Sequence, residues 1–380
     1  MKKIIVLGST GSVGTQTLSI VDKNPQKIKV VGLAANSNLE LLLKQIKKYR
    51  PKAVAIPNKE LAEKLKKKTP VLIYSGEDCL VKLTEMKGYD TLVNAVVGLV
   101  GIRATLNAIK KRKSIALANK ETLVAAGEIV MKAVKKYKVK LMPIDSEHSA
   151  LFQCLNGEKK SDVKRLLLTC SGGALWKKTK EELNKVTVDD ALNHATWSMG
   201  NKITIDCATQ MNKGFEVIEA MWLYDMPIEK IDVVIHPQSI IHSMVEFSDA
   251  SIMAQLACPN MQLPAQYALS YPERWNAPIE RFDFSKNITF EKIDTDRFPC
   301  LKYAYEAAKK GGTLPAVMNA ANDFMVWKFL KKDCKLMDIP KIVYKVMQKH
   351  KTIKKPTLEQ IEKSIQDATE MAEKFFNQLK

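Results

Sequence analysis

Between residues 1 and 145 the chain carries seven short apolar runs separated by segments of helical periodicity, and this alternation constrains its fold more than any other feature. The runs are IIVL (4–7), IKVVGL (28–33), AVAI (53–56), VLIY (71–74), TLVNAVV (91–97), SIALA (114–118) and KLMPI (140–144). Residues 15–23, 39–50, 59–68, 77–86, 101–112 and 120–137 fill the gaps. The runs do not alternate apolar with polar residues, so each reads as a strand buried on both faces. Parallel strands need a crossover of a dozen or more residues, which the intervening helices supply. The expectation is a Rossmann-like parallel sheet covered by helices over residues 1–145.

The pattern then changes. VKRLLLT (163–169) reads as another buried strand, and SIIHSMVEF and SIMAQLA flank SDA (248–250) as an antiparallel hairpin. Residues 146–276 are therefore expected to form a central α+β domain. Residues 277–299, with Pro278, Asn287 and Pro299, show little periodicity and read as a linker or wrapping arm. Residues 300–380 are helical throughout and predict a small C-terminal helical domain. A length of 380 residues suits such a division, since one core rarely serves so long a chain.

Composition removes several classes. At 46% hydrophobic and 27% charged the chain is globular, and no apolar run approaches the length of a membrane span. MKKIIVLGST has too short an apolar stretch for a signal peptide, so a cytoplasmic protein is expected. Seven scattered cysteines without a C-x-x-C pair indicate reduced thiols, not a disulfide frame or zinc site. The net charge of +19 points to anionic partners. Its lysines are spread over many helix faces without interleaved aromatics, so small phosphorylated molecules are expected and nucleic acid is not.

Gly8, Gly11 and Gly14 follow the first strand and open the first helix. Glycines there permit a tight turn and close approach of a pyrophosphate to a helix N-terminus. Ser9, Thr10 and Ser12 add hydroxyls. The end of the second strand distinguishes NAD from NADP. NAD sites carry an acid there, whereas this chain reads Leu33-Ala34-Ala35-Asn36-Ser37-Asn38. Asn36, Ser37 and Asn38 suit a 2′-phosphate, and NADPH is expected; a plain polar loop is the competing reading.

Asp145, Ser146, Glu147 and His148 stand at the carboxyl end of the seventh run, where ligands of parallel sheets bind. Two carboxylates there offer hard oxygen ligands for Mg²⁺ or Mn²⁺. The same residues also read as a helix N-terminus, with Ser146 as N-cap and acids in the first turn. A third carboxylate is available at Glu216 or Glu219, which share a helix face, and spacing does not choose between them. Asn212 and Lys213, just before, suit an anionic oxygen or phosphate. Ser171-Gly172-Gly173 ends a strand and forms a second candidate phosphate cradle. His194, Trp197 and Met199 lie in an aperiodic segment, 193–202, that reads as a lid.

Together these motifs identify the chain as resembling the 1-deoxy-D-xylulose 5-phosphate reductoisomerase family over nearly its full length. The resemblance rests on GSTGSVG (8–14), LANKE (117–121), PIDSEH (143–148), SGG (171–173), WSMG (197–200), MNKG (211–214) with Glu216, HPQSIIHSMV (236–245) and NAAN (319–322). It implies an NADPH- and metal-dependent enzyme that rearranges and reduces a ketose phosphate to 2-C-methyl-D-erythritol 4-phosphate, in non-mevalonate isoprenoid synthesis. It implies Asp145, Glu147 and Glu216 as ligands of Mg²⁺ or Mn²⁺, and Ser146 and Lys213 on the polar backbone of the substrate. Ser171, His194 and Asn212 are implied at its phosphate. Trp197 is implied over the substrate in a closing flap, 193–202. Thr10, Gly11, Ser12, Val13, Asn38, Asn119, Lys120, Glu121 and Gly200 are implied at NADPH, and a homodimer as the assembly.

Two departures bear on the site. The family usually has Ser at a phosphate contact where this chain has Cys207, and a thiol is the weaker donor. Asn36 stands where the family often has Gly. Cys170, Ala174 and Gln210 are also unusual, beside the site rather than in it. The rival reading is a metal-independent Rossmann oxidoreductase of the semialdehyde dehydrogenase type, which needs a nucleophilic cysteine.

Overall fold

The computed structural model describes all residues except Ala195, Ser198, Pro278 and Lys380. It divides into two compact units. The first comprises Met1–Thr122, Val130–Ser149 and Asn260–Ile279, and the second Leu123–Ile129, Ala150–Pro259 and Glu280–Lys380. The expected boundaries at 145, 276 and 299 do not coincide with these. Residues 260–279 return to the first unit, where the helix Gln262–Ser270 packs on the helix Ser12–Lys23. The C-terminal helices share one hydrophobic core with the mixed sheet of the second unit.

The first unit is the expected α/β layer structure. Strands β1 (Lys2–Leu7), β2 (Ile28–Ala34), β3 (Ala53–Ile56), β4 (Leu72–Ser75), β5 (Thr91–Asn94), β6 (Ser114–Leu117) and β7 (Leu141–Pro143) form a seven-stranded sheet in the order β4-β3-β2-β1-β5-β6-β7. Every pairing is parallel. Chain order reverses between β1 and β5, which sets the ligand crevice at the carboxyl ends of those two strands. Ile4 to Leu7 and Ala53 to Ile56 are fully buried, as continuous apolar strands in a covered sheet must be. Two of the helices between them carry asparagine caps. Asn38 Oδ1 accepts from Leu41 N and Asn58 Oδ1 from Leu61 N, starting the helices Leu39–Tyr49 and Lys59–Lys66.

The second unit holds a four-stranded mixed sheet of β8 (Val163–Cys170), β9 (Ile231–Ile235), β10 (Ile241–Phe247) and β11 (Ile252–Leu256), ordered β11-β10-β8-β9. The β10–β11 hairpin is antiparallel, as its sequence implies. Strand β9, parallel to β8, has no place in the sequence expectation. It is five residues long and carries a polar residue, and its partner lies more than sixty residues upstream. The expected linker is an arm fastened to this sheet: Glu291 bridges Ile235, and Thr289 O takes a hydrogen bond from the His236 ring. The helix Leu314–Leu330 is buried on most of its surface because the helices Cys300–Lys310, Asp338–Lys349 and Leu358–Asn377 surround it. Among the described residues no helix is long and apolar enough to cross a membrane.

The glycine turn is sterically compulsory at two positions. Gly8 has φ +76°, and a Cβ there would stand 2.4 Å from Ala95 O. A Cβ on Gly14 would stand 2.1 Å from Gly8 O and 2.7 Å from Ser9 Cα. Gly14→Ala therefore forces the first helix away from β1. The expected loss is about 2–3 kcal/mol in a denaturant titration. Gly200→Ala, with no atom within 4 Å of the added carbon, is expected to stay within about 0.5 kcal/mol of the parent. Equal stabilities for the two variants would refute the steric account.

Candidate active site

In the first unit the turn after β1 leaves Gly11 and Ser12 exposed and Thr10 and Val13 half-buried, with the first helix beginning at Ser12. Ser9 is different. Its N–H donates to Ala34 O, its hydroxyl donates to Gln45 Oε1 at 2.8 Å, and its carbonyl accepts from Gln45 Nε2 at 2.8 Å. The hydroxyl anticipated for a ligand is thus internal, and the open part of the turn starts at Thr10. Beyond β2, Asn36, Ser37 and Asn38 are exposed, and Asn38 also caps the next helix.

The loop after β6 is built by Asn119. Its side-chain nitrogen donates to Val96 O, Gly98 O and Glu121 Oε2 at 2.8–3.0 Å, and its side-chain oxygen accepts from Thr122. Glu121 Oε1 accepts from Gly98 N. Asn119 and Glu121 therefore shape the loop through their side chains. Lys120, expected at the cofactor, lies with its ammonium 2.6 Å from Asp145 Oδ2, both side chains being about nine-tenths buried.

Asp145 precedes the helix Ser146–Cys154. Its carbonyl accepts from Ser149 N, so Asp145 and not Ser146 takes the cap position of the helix reading. The Ser146 hydroxyl instead donates to Glu147 Oε2 at 2.6 Å. His148, fully buried, brings Nδ1 to 3.7 Å from Asp145 Oδ2. That carboxylate oxygen is buried and takes no aligned hydrogen bond, although the Lys120 ammonium is close. A buried acid oxygen without an aligned hydrogen bond is the donor type that suits a hard cation.

The second unit repeats the device. The helix Met211–Leu223 carries Lys213 and Glu216 one turn apart, both almost fully buried and in direct contact. Asn212 Nδ2 donates to Glu216 Oε1 at 2.6 Å. Glu219 is on the same helix and completely buried. Strand β8 ends in the Ser171-Gly172-Gly173 loop, where Gly172 and Gly173 have φ +89° and +73°. Ser171 Oγ lies 3.0 Å from His194 Nε2, and a Cβ on Gly173 would stand 2.5 Å from Cys207 O. Ser171, His194 and Cys207 are thus drawn toward one loop cluster.

The segment 193–202 runs from the end of the helix Val188–Leu192 into the helix Asn201–Ala208, with Ala195 and Ser198 outside the described residues. His194, Trp197, Met199, Asn201 and Thr204 line a cleft of about 270 Å³. Gly200 is exposed at the cap of the second helix. Two backbone N–H groups, of Thr196 and Trp197, point at His194 Nδ1 from 3.2 and 3.1 Å. Nδ1 is therefore an acceptor, and the proton sits on Nε2, facing Ser171. Burial pushes the His194 pKa below its ordinary value, favouring this neutral form. The HPQSIIHSMV stretch gave no role for its histidines. His236 accepts from Ile240 N and Ile241 N and locks the turn into β10, while the His242 ring lies 6.3 Å from Trp197.

Family models described as 1-deoxy-D-xylulose 5-phosphate reductoisomerase match residues 4–127 and, for its C-terminal domain, 141–224. A DXP reductoisomerase C-terminal domain model matches residues 256–371. The chain belongs to the 1-deoxy-D-xylulose 5-phosphate reductoisomerase family. A reductoisomerase of Thermoanaerobacter pseudethanolicus is 51% identical, with 95% of this chain and 96% of that protein aligned. A Bacillus thuringiensis reductoisomerase is 48% identical over 100% of this chain and 98% of its own length. The Zymomonas mobilis reductoisomerase, solved in complex with NADPH, superposes with TM-score 0.92 at 40% identity, covering 99% of each chain. A reductoisomerase solved with NADPH, fosmidomycin and magnesium superposes with TM-score 0.94 at 34% identity, covering 100% of this chain and 99% of that one. The semialdehyde dehydrogenase alternative is not favoured. The family models and the full-length relatives are reductoisomerases.

The His194 anchor makes the stability of this chain pH-dependent. A histidine pKa held below the unfolded value stabilises the fold fully above about pH 6.5 and loses that contribution as pH falls through the folded value. Protonation puts a hydrogen on Nδ1, opposite two N–H donors. The melting-temperature difference between the ligand-free parent and His194→Gln is expected to shrink from about pH 7.5 to about pH 5. A difference that stays constant or grows on acidification would contradict the tautomer assignment.

Proposed function

We propose that the protein is an NADPH- and divalent-metal-dependent reductoisomerase that converts 1-deoxy-D-xylulose 5-phosphate to 2-C-methyl-D-erythritol 4-phosphate in non-mevalonate isoprenoid synthesis. The observation that carries this reading is the match to one enzyme family over essentially the whole chain, including the relative solved with NADPH. The site residues support it. NADPH is held by Thr10, Gly11, Ser12 and Val13 at the glycine turn, with Asn36, Ser37 and Asn38 at the 2′-phosphate. The absence of an acid after β2 removes the repulsion that selects NAD. Asn119 and Glu121 fix the neighbouring loop, and Gly200 contributes from the flap segment.

Asp145, Glu147 and Glu216 are the ligands of Mg²⁺ or Mn²⁺ in this reading. When bound, the ion supplies a Lewis acid and a template for two adjacent substrate oxygens. The protein groups do the rest. Ser146 and Lys213 donate to the polar backbone of the substrate, and Lys213, already buried against Glu216, is positioned to meet negative charge that develops during rearrangement. Ser171, His194, Cys207 and Asn212 hold the phosphate. Binding energy from that remote group is available at the reacting carbons. Trp197 and the 193–202 flap would exclude water from the reacting carbons, and NADPH, when bound, would supply the hydride. Lys120 joins the cofactor residues of this reading, with its ammonium also against Asp145.

The assembly is a homodimer and the compartment the cytoplasm. Support comes from the family resemblance for the first and from seven free cysteines for the second.

Glu147→Gln and Glu216→Gln are each expected to cut turnover of the phosphoketose by about a thousand-fold or more while NADPH titrates with unchanged affinity. NADPH oxidation in the parent is expected to stop with chelator and return with Mg²⁺ or Mn²⁺. Full turnover by either variant in Mn²⁺ would remove the metal assignment. Cys207→Ser is expected to leave KM for the phosphoketose equal or lower, because a hydroxyl donates better than a thiol. A large rise would show that the thiol has a different role.

A further inference from the structure

The loop Ser171–Gly173 is the part of the phosphate site least held by regular structure. Its two glycines are both left-handed, and it lies beyond the last ladder bond of β8. Three hydrogen bonds form a closed ring around it. Gln210 Nε2 donates to Gly172 O at 2.5 Å. The Cys170 thiol donates to Gln210 Oε1 at 3.0 Å. Gly172 N donates to Cys170 Sγ at 3.2 Å. Gln210 is 1% exposed and Cys170 7%, so water does not replace a partner that is lost.

We infer that Cys170 and Gln210 are a matched clasp that fixes the Ser171–Gly173 loop and thereby sets the affinity for the phosphate end of the substrate. The inference rests on the proposed function only in naming that phosphate. Gln210 is well placed for such work. It occupies a left-handed conformation, φ 64°, immediately before the helix that carries Asn212 and Lys213. A β-carbon disfavours that conformation, and the ring of bonds to its amide holds it there. One side chain therefore ties the Ser171 loop to the helix start, and the same loop abuts the Cys207 carbonyl at Gly173. Tolerance is small on both sides, since a Cβ at Gly172 would stand 2.6 Å from the Trp176 ring. The two side chains act as positioning residues through Gly172. Apolar packing alone would need neither amide nor thiol. The clasp requires both, with donor and acceptor matched across forty positions of sequence.

The test uses the full chain with NADPH and Mg²⁺ and compares Gln210→Met, Cys170→Ala and Cys170→Ser. Methionine keeps the volume of glutamine and removes only its amide. Gln210→Met and Cys170→Ala are expected to raise KM for 1-deoxy-D-xylulose 5-phosphate about ten-fold, with kcat within about three-fold and KM for NADPH unchanged. Cys170→Ser, which keeps a donor and acceptor, is expected to recover most of that loss. The affinity for inorganic phosphate is expected to fall in parallel, and amide hydrogen exchange over 170–174 to quicken while that of β10 does not. Unchanged KM and unchanged exchange in Gln210→Met would overturn the clasp. So would equal losses in kcat and in both KM values, which indicate general damage. A parent chain that binds phosphate but does not turn over the phosphoketose would defeat the proposed function. Phosphate affinity and exchange in the variants would still decide the clasp.

Discussion

A carboxylate removed from water must have a positive charge or hydrogen-bond donors against it, and that requirement organises this protein. Desolvation costs several kcal/mol per ion, so an acid left alone in the interior would lose its charge or unfold the region around it. Asp145 meets Lys120, Glu216 meets Lys213, and Asp206 meets Lys202 at 2.8 Å. Two of these pairs belong to the proposed metal ligands. The third sits on the helix that follows the flap, and Asn322 completes it by donating to the other Asp206 oxygen at 2.7 Å. The same chemistry thus serves catalysis and structure. In Lys202–Asp206 both carboxylate oxygens have a partner, and the Asn322 hydrogen bond ties this helix to the helix Leu314–Leu330. In the site pairs an ammonium stands directly against each carboxylate proposed as a metal ligand. Each of these interior lysines is balanced by an acid, so the net charge of +19 comes from the rest of the chain.

How much of this was legible in the sequence depended on whether the controlling contact was local. Buried parallel strands write themselves as unbroken apolar runs, so all seven strands of the first sheet were readable. Their ends were less so: the run at 91–97 is a strand only to Asn94, because the chain then turns toward Gly98, whose φ of +78° ends the extended path. Strand β9 is five residues whose pairing is to a distant segment, and no local pattern announces that. The return of residues 260–279 to the first unit is likewise a matter of what the helix Gln262–Ser270 packs against. Its own sequence is consistent with several neighbours.

The site shows the same division. Acids at the end of β7 and a serine-glycine loop after β8 were recognisable by type and position. Spacing did not separate Glu216 from Glu219, and burial does not separate them either, since both are enclosed. The destination of Lys120, the pairing of His194 with Ser171 and the ring joining Cys170 to Gln210 depend on partners 23 to 40 residues away. These are the details that fix orientation and protonation. They are set by three-dimensional complementarity and leave no period or motif.

The spacing of the glycine turn follows from the same accounting of partners. The usual dinucleotide fingerprint has five steps from its first glycine to its last, and here Gly8 and Gly14 are six apart. Both ends are fixed by sterics, so the extra residue must be absorbed between them. Ser9 absorbs it. Its N–H, carbonyl and hydroxyl are all bonded within the protein, to Ala34 and to the buried Gln45. A residue satisfied in this way presents nothing to a ligand. What reaches the mouth is Thr10 to Val13, running into a helix N-terminus, with the middle glycine under the least constraint: its added carbon would meet Gly8 O at 3.3 Å. The longer turn thus carries one extra residue buried under it, and Gln45 is the side chain that makes the insertion tolerable.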